Sequence, residues 1–269
     1  MSGNTRKAIV AVAAVVVLTA ACTSQQAAAP VRHHATAVVA PPSTTTTTTT
    51  TTTAPAVPVS TTTTAPAVPV STTVATTHGD IPGSPDPSAP STMTVPGSWY
   101  GYPSVLPVIA QTAGWLEVRL AQRPNESTAW VPTADVSLST TPYRIVIDLT
   151  TRHLEVYQSG KKIDEFPAGI GTPDDPTVTG NFFMTMQVPP PDPGYGPFVL
   201  VTSAHSDSIT DWGGSGDAII AIHGPIDSYD DSLISTTGAQ ISHGCVRLHD
   251  SDLAQMASIP AGTPIDIVN

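Results

Sequence analysis

The stretch ISHGCVRL (241–248) brings the residue types of a nucleophilic site together within eight positions. Cys245 is a candidate nucleophile, because a thiolate attacks carbonyl carbon once a base or a positive charge promotes its formation. Histidine is the usual base, since its pKa lies near neutrality. His243 shares a strand face with Cys245 at a spacing of two. His223 ends the apolar run DAIIAIHG (217–224), where a rigid strand would present it at a site edge.

Other roles for Cys245 are open. His223, His243, Cys245 and His249 could ligate zinc, although one residue between His243 and Cys245 is closer than structural zinc sites favour. An inert buried thiol fits poorly with polar neighbours such as Ser242. A papain-like hydrolase is disfavoured, because there the cysteine precedes the histidine. The residues therefore favour cysteine chemistry over zinc binding.

The N-terminal segment is typical of an export signal. Arg6 and Lys7 precede the apolar run 8–21, which is too short to span a bilayer comfortably. The run ends at LTAAC (18–22), which resembles a bacterial lipoprotein signal, and in such signals Cys22 would carry the lipid. The alternative is an ordinary cleaved secretory peptide. If Cys22 is lipidated, Cys245 is left without a disulfide partner in an oxidising compartment, which favours a chemical task.

The charge of the chain argues against nucleic acid as a partner. The chain of 269 residues has a formal net charge of −11, and all 21 acidic residues lie at or beyond Asp80. Nucleic-acid binding needs a basic surface, and the sequence offers none.

Composition divides the chain into four segments. Residues 1–22 form the signal. Residues 23–95 are predicted to be a disordered linker, because threonine, alanine and proline dominate and TTTTAPAVPVS occurs twice in tandem (50–60 and 61–71). Residues 96–141 contain short apolar runs around a Pro-Asn turn, which predicts a small β-domain and resembles bacterial SH3-like modules. Residues 142–269 form the last domain.

The last domain is predicted to be mainly β. RIVIDLTTRHLEVYQSGKKIDEFPAGIG (144–171) alternates as a three-strand meander, with Ile163 and Phe166 inward. DSDLAQMASI (250–259) predicts a helix capped by Asp250 or Ser251. The stretch 188–216, with Tyr195 and Trp212, predicts a long loop that is either a lid or a solvated connector. The expected fold is thus a small SH3-like barrel followed by a β-sandwich or barrel with one or two short helices.

IHG (222–224) followed by SHGCVRL (242–248) resembles the L,D-transpeptidase (YkuD-like) catalytic domains of bacterial cell-wall enzymes. PTVTGNF (176–182) and the hairpin DLTTRHLEVYQSGK (148–161) are similar to further segments of that family, although Val178 replaces its usual proline. The resemblance covers residues 142–268.

The resemblance implies a role for each residue. Cys245 would be the nucleophile and His223 its base, with the Gly224 carbonyl fixing the tautomer. Backbone N–H groups around His243, Gly244 and Cys245 would form an oxyanion hole. Ser242 and His243 would support the loop. The residues implied in substrate binding are Arg247, Tyr195 and Trp212.

The implied reaction is attack on a peptidoglycan stem peptide between its third residue and terminal D-alanine, giving a thioester, and it needs no metal or organic cofactor. The amine of a neighbouring stem would then form a cross-link between third residues, while water or a free D-amino acid would give carboxypeptidase or exchange activity. We expect a monomer that is exported to the outer face of the cytoplasmic membrane, the periplasmic space or the cell wall, and that is anchored by lipid on Cys22. A non-catalytic wall-binding protein is the alternative from a different class.

Overall fold

The computed structural model describes residues 67–87 and 89–269. The predicted signal, Cys22 and most of the threonine-rich segment lie outside these residues. No helix in the described part of the chain is long and apolar enough to cross a membrane.

The first β-domain is built on a five-stranded sheet flanked by two small hairpins. The sheet has the order β8-β7-β6-β1-β9, and the hairpins are β2-β3 and β4-β5. The strands are β1 (Thr72–Thr77), β2 (Ile81–Gly83), β3 (Met93–Val95), β4 (Ser98–Trp99), β5 (Tyr102–Pro103), β6 (Val105–Thr112), β7 (Trp115–Arg119), β8 (Thr128–Pro132) and β9 (Val136–Thr141).

Strand β1 corrects the predicted boundaries of the linker and of this domain. Order was expected to begin near Pro96, whereas β1 pairs with β6 on one side and β9 on the other, and Val74 and Ala75 are buried in the core. Threonine is polar, so a threonine-rich stretch has the composition of a linker. It is also β-branched and suits a strand once two neighbours are available. The similarity of this domain to SH3-like modules stays a prediction.

The second domain is a ten-stranded, mostly antiparallel sheet with the order β12-β11-β10-β19-β14-β15-β16-β18-β13-β17. Its strands are β10 (Tyr143–Asp148), β11 (His153–Gln158), β12 (Lys161–Pro167), β13 (Gly169–Gly171), β14 (Gly180–Val188), β15 (Val199–His205), β16 (Ile219–His223), β17 (Ala239–Ser242), β18 (Val246–Arg247) and β19 (Pro264–Val268). The prediction of a mainly β fold is confirmed.

The meander β10-β11-β12 is confirmed in its pairing and differs in one inward residue. Ile145, Ile147, Leu154 and Phe166 are buried. Ile163 is 46% exposed, because residues three apart on a strand point to opposite faces and Phe166 occupies the inner one.

Two short helices accompany the sheet, and the sequence predicted one of them. Helix α2 (Asp250–Gln255) buries Leu253 as expected, but its N-cap is His249, without a side-chain capping bond, rather than Asp250 or Ser251. Helix α1 (Ser228–Ile234) was not predicted. Its signal was Asp227, whose carboxylate accepts hydrogen bonds from the N–H groups of Tyr229 and Asp230.

The two domains share hydrophobic packing through strand β14. Phe182 packs into the core of the second domain, while Phe183 joins the buried cluster of the first. Adjacent residues on a strand face opposite sides, so this one strand serves both cores.

Candidate active site

A parallel strand pair brings the two halves of the candidate site together. In the register of β16 and β18, Ile222 lies opposite Val246 and His223 opposite Arg247. Ile222 and Val246 are fully buried, which anchors both strands in the core. Cys245 immediately precedes β18, so the pairing fixes His223 and the cysteine loop at the same edge of the sheet.

The site is a cavity of about 650 Å³. A volume of this size lies within the usual range for ligand pockets. The structure brings six of the sequence-predicted side chains to its lining, namely Tyr195, Trp212, His223, His243, Cys245 and Arg247.

His223 is held as a neutral base. The ring is 2% exposed, and Nδ1 lies 2.6 Å from the Gly224 carbonyl oxygen. Because a carbonyl only accepts, Nδ1 must carry the proton, which leaves the Nε2 lone pair free in the neutral ring. Burial lowers the pKa of His223 to about 4, and the Arg247 charge acts in the same direction. The imidazole is therefore unprotonated at neutral pH.

Cys245 rests as a thiol rather than a thiolate. The side chain is half-buried, and desolvation raises its pKa. A hydrogen bond with the Ala221 backbone and the charge of Arg247 act in the opposite direction without outweighing burial. Because the His223 pKa is low and the Cys245 pKa is high, the imidazole and the thiol are both uncharged at rest. Proton transfer then accompanies attack, unlike a preformed thiolate–imidazolium pair.

Ser242 and Gly244 shape the loop that carries Cys245. Gly244 has φ +111°, a conformation that a side chain would strain. Ser242 Oγ donates to the Cys245 carbonyl at 2.5 Å and accepts from the Gly244 N–H at 3.1 Å. This changes the expected oxyanion hole. The Gly244 N–H is already engaged, which leaves the N–H groups of His243 and Cys245 as its candidate donors.

Thr177 clamps the cysteine loop from a distant segment, and sequence reasoning did not single it out. Its buried hydroxyl donates to the Gly244 carbonyl at 2.8 Å and accepts from the Gly171 N–H at 2.8 Å. The available signal was the segment PTVTGNF, which was noted for family similarity alone.

We expect Thr177→Val to slow acylation of Cys245 by about tenfold while the core packing survives. Valine matches the shape of threonine but leaves two buried backbone groups unpaired, and the loop can relax to satisfy them. The measurement is the rate of covalent labelling by a carbapenem, followed by mass spectrometry.

Thr185→Val is the matched control, because it removes a hydroxyl that donates to the Val201 carbonyl at 3.0 Å within the sheet. Equal rates for the two variants would show that the Thr177 clamp does not position the loop.

Arg247 is buried beside the site and is paired. Its Nη1 donates to Asp230 of helix α1 and to the Ile241 carbonyl at 3.3 Å. Its Nε has no hydrogen-bond partner among the described residues. Asp230 was missed together with helix α1.

Tyr195 and Trp212 belong to two loops rather than one. Strand β15 interrupts the predicted loop 188–216, because its apolar run finds partners in β14 and β16. The Tyr195 ring lies 4.6 Å from that of His223 at 39°. The Trp212 ring lies 5.3 Å from that of His243, and Trp212 is 52% exposed. Each loop therefore places an aromatic ring against a histidine of the site.

The four possible zinc ligands do not converge. His249 Nδ1 lies 2.5 Å from an Asp231 carboxylate oxygen, and its Nε2 lies 2.8 Å from the Ser235 carbonyl. Within residues 67–87 and 89–269, no group of three or more His, Cys, Asp or Glu side chains is placed to hold a metal ion.

Comparisons with known proteins match the second domain to one family. Residues 142–267 match the YkuD family model, described as an L,D-transpeptidase catalytic domain. Two curated relatives are named for L,D-transpeptidase YkuD. That of Bacillus licheniformis is 29% identical over 129 residues, and that of Bacillus subtilis is 25% identical over 129 residues. Each alignment covers 48% of this chain and 67% of the relative.

Solved structures of L,D-transpeptidases are also similar. One from Mycobacterium smegmatis is 20% identical, covers 60% of this chain and 80% of its own, and has a TM-score of 0.37. The transpeptidase LdtMt1 in complex with imipenem is 16% identical, covers 61% and 90%, and has a TM-score of 0.38.

Proposed function

We propose, from the premise that residues 142–267 belong to the YkuD family of L,D-transpeptidase catalytic domains, that Cys245 carries an acyl group between peptidoglycan stem peptides. The observation that carries this proposal is the buried, neutral His223, tautomerically fixed by Gly224, in the same cavity as Cys245.

The first half-reaction forms a thioester. His223 Nε2 takes the thiol proton as the sulfur attacks the carbonyl carbon that joins the third stem residue to D-alanine. The N–H groups of His243 and Cys245 would stabilise the oxyanion. An imidazolium with a pKa near 4 is more acidic than that of an ordinary histidine, so it readily returns the proton to the departing amine of D-alanine.

The second half-reaction releases the acyl group. The side-chain amine of a neighbouring stem attacks the thioester carbon, His223 accepts a proton from that amine, and the cysteine leaves and is reprotonated. The products are a cross-link between third residues and the free enzyme. Water in place of the amine would give carboxypeptidase activity, and a D-amino acid would give exchange. Arg247 lines the cavity, and its positive charge is proposed to attract a substrate carboxylate.

A tetrapeptide stem with a diaminopimelate-type third residue tests the function. We expect the purified protein to release D-alanine and to form dimers linked between third residues, both detected by mass spectrometry. The product identifies the acceptor, since the cross-linked, hydrolysed and exchanged peptides differ in mass. A carbapenem should form a covalent adduct on Cys245. If D-alanine release and the adduct are both absent, the proposal is wrong.

Location at the cell surface is proposed from the signal. We propose that lipid on Cys22 holds the monomeric protein at the outer face of the cytoplasmic membrane, with the segment between Cys22 and Thr72 as the connection to the first domain. Cells grown with labelled palmitate should incorporate label into the wild-type chain. Cys22→Ala should incorporate none, whereas equal labelling of the two chains would refute lipidation at this residue.

A further inference from the structure

One wall of the active-site cavity depends on contacts made by the first domain. The segment Ser206–Asp217 supplies Ser206, Ile209, Trp212, Ser215 and Asp217 to the cavity lining. Residues 210–216 of this segment are all exposed. A segment with so little buried apolar surface is ordered by its polar contacts.

Arg123 of the first domain supplies three of those contacts. Its Nη2 donates to the carbonyl oxygens of Ser206 at 2.8 Å and Ile209 at 3.1 Å, and its Nε donates to Asp217 Oδ1 at 2.8 Å. All three acceptors belong to residues that line the cavity. The planar guanidinium fork can reach several acceptors at fixed angles, which a lysine ammonium cannot reproduce.

Asn125 holds the start of the same segment. Its Oδ1 accepts from the His205 N–H at 2.9 Å, and its Nδ2 donates to the His205 carbonyl at 2.8 Å. The amide thus pairs with His205 as a neighbouring strand would, at the end of β15. Burial lowers the pKa of His205, so this residue is held neutral.

Tyr100 reaches the cavity directly from the first domain. It lies at the tip of the β4-β5 hairpin and lines the cavity with 71% of its surface exposed. The described residues form a single compact unit, which agrees with a site built from both domains.

We propose that the first β-domain contributes residues that position and contact the substrate in the active site. Arg123 and Asn125 act as positioning residues that hold the 206–217 wall for the donor stem peptide, and Tyr100 contacts that peptide. This inference rests on the proposed transpeptidase function. It assigns the first domain a role in catalysis rather than only in attachment to the wall.

The test is Arg123→Ala in the full chain. We expect KM for a tetrapeptide stem to rise about tenfold and kcat to change less than about threefold, because the wall loses its charge-assisted bonds while Cys245 and His223 are untouched. Hydrogen–deuterium exchange should rise in residues 206–217. Arg123→Lys should recover only part of the loss, and Asn125→Ala should raise exchange at the start of the segment.

Arg119→Ala is the matched control, because Arg119 contacts Glu126 at 3.8 Å within the first domain and does not line the cavity.

For the hairpin, Tyr100→Ala should raise KM several-fold without changing hydrogen–deuterium exchange in residues 206–217. Tyr102→Ala is its control and should leave KM unchanged.

If Arg123→Ala keeps the wild-type KM and the wild-type hydrogen–deuterium exchange in residues 206–217, the inference is wrong. If the wild-type chain itself shows no turnover, the proposed function fails instead. The exchange measurement still reports whether Arg123 orders the wall.

Discussion

Replacement of Cys245 by alanine is expected to lower D-alanine release from a stem peptide by at least about 10⁴-fold. No other thiol is available among the described residues to carry the acyl group. The carbapenem adduct should disappear from the mass spectrum at the same time. Folding should be unaffected, since alanine removes one half-buried sulfur and leaves the loop bonds of Ser242 and Thr177 in place.

Cys22→Ala is the matched control for this variant. Cys22 belongs to the predicted signal, so purified Cys22→Ala should keep wild-type turnover. Residual activity in Cys245→Ala above about one per cent of wild type would show that another group forms the covalent intermediate.

Replacement of His223 by alanine is expected to cost about 10³-fold in the acylation rate, within the usual range for a general acid–base residue. His243→Ala should cost far less, because the His243 side chain is 60% exposed and its ring lies against Trp212. The comparison decides between the two histidines that the sequence offered as bases. A larger loss in His243→Ala would assign the proton transfer to that residue.

The low pKa of His223 predicts the pH dependence of acylation. The neutral imidazole is the active base, so acid inactivates the enzyme only when His223 becomes protonated. Because the folded pKa is about 4, the rate should stay nearly constant between pH 7 and about 5 and fall tenfold per unit below about 4. An acid limb near 6.5, the ordinary histidine value, would contradict the buried, desolvated state of the ring.

Local sequence pattern was enough to predict the central features of the catalytic domain. The meander β10-β11-β12 follows from alternation, and β16 follows from an apolar run ending at His223. The family resemblance, and not the local pattern, implied that the Gly224 carbonyl lies beside His223, and the structure places it 2.6 Å from Nδ1. These features depend on residues that are close in the chain.

Contacts between distant residues were not predictable in the same way. Thr177 bonds to Gly244 across 67 positions, and Arg123 bonds to Asp217 across 94. One threonine or arginine carries no local sign of such a partner. Strand β1 was missed for a related reason, since its threonines become strand residues only when β6 and β9 flank them.

The place of β1 in its sheet has a mechanical consequence. The chain that precedes Thr72 leads into a strand bonded on both sides, in antiparallel register with β6 and β9. Thr72 lies opposite Thr141, so the chain enters β1 at the same end of the sheet from which β9 leads into the second domain. The N-terminal segment and the second domain are thus attached to neighbouring ends of one antiparallel pair. A pull between them acts first on the Thr72–Thr141 end of that ladder, and the hydrogen bonds between β1 and β9 open in sequence from there.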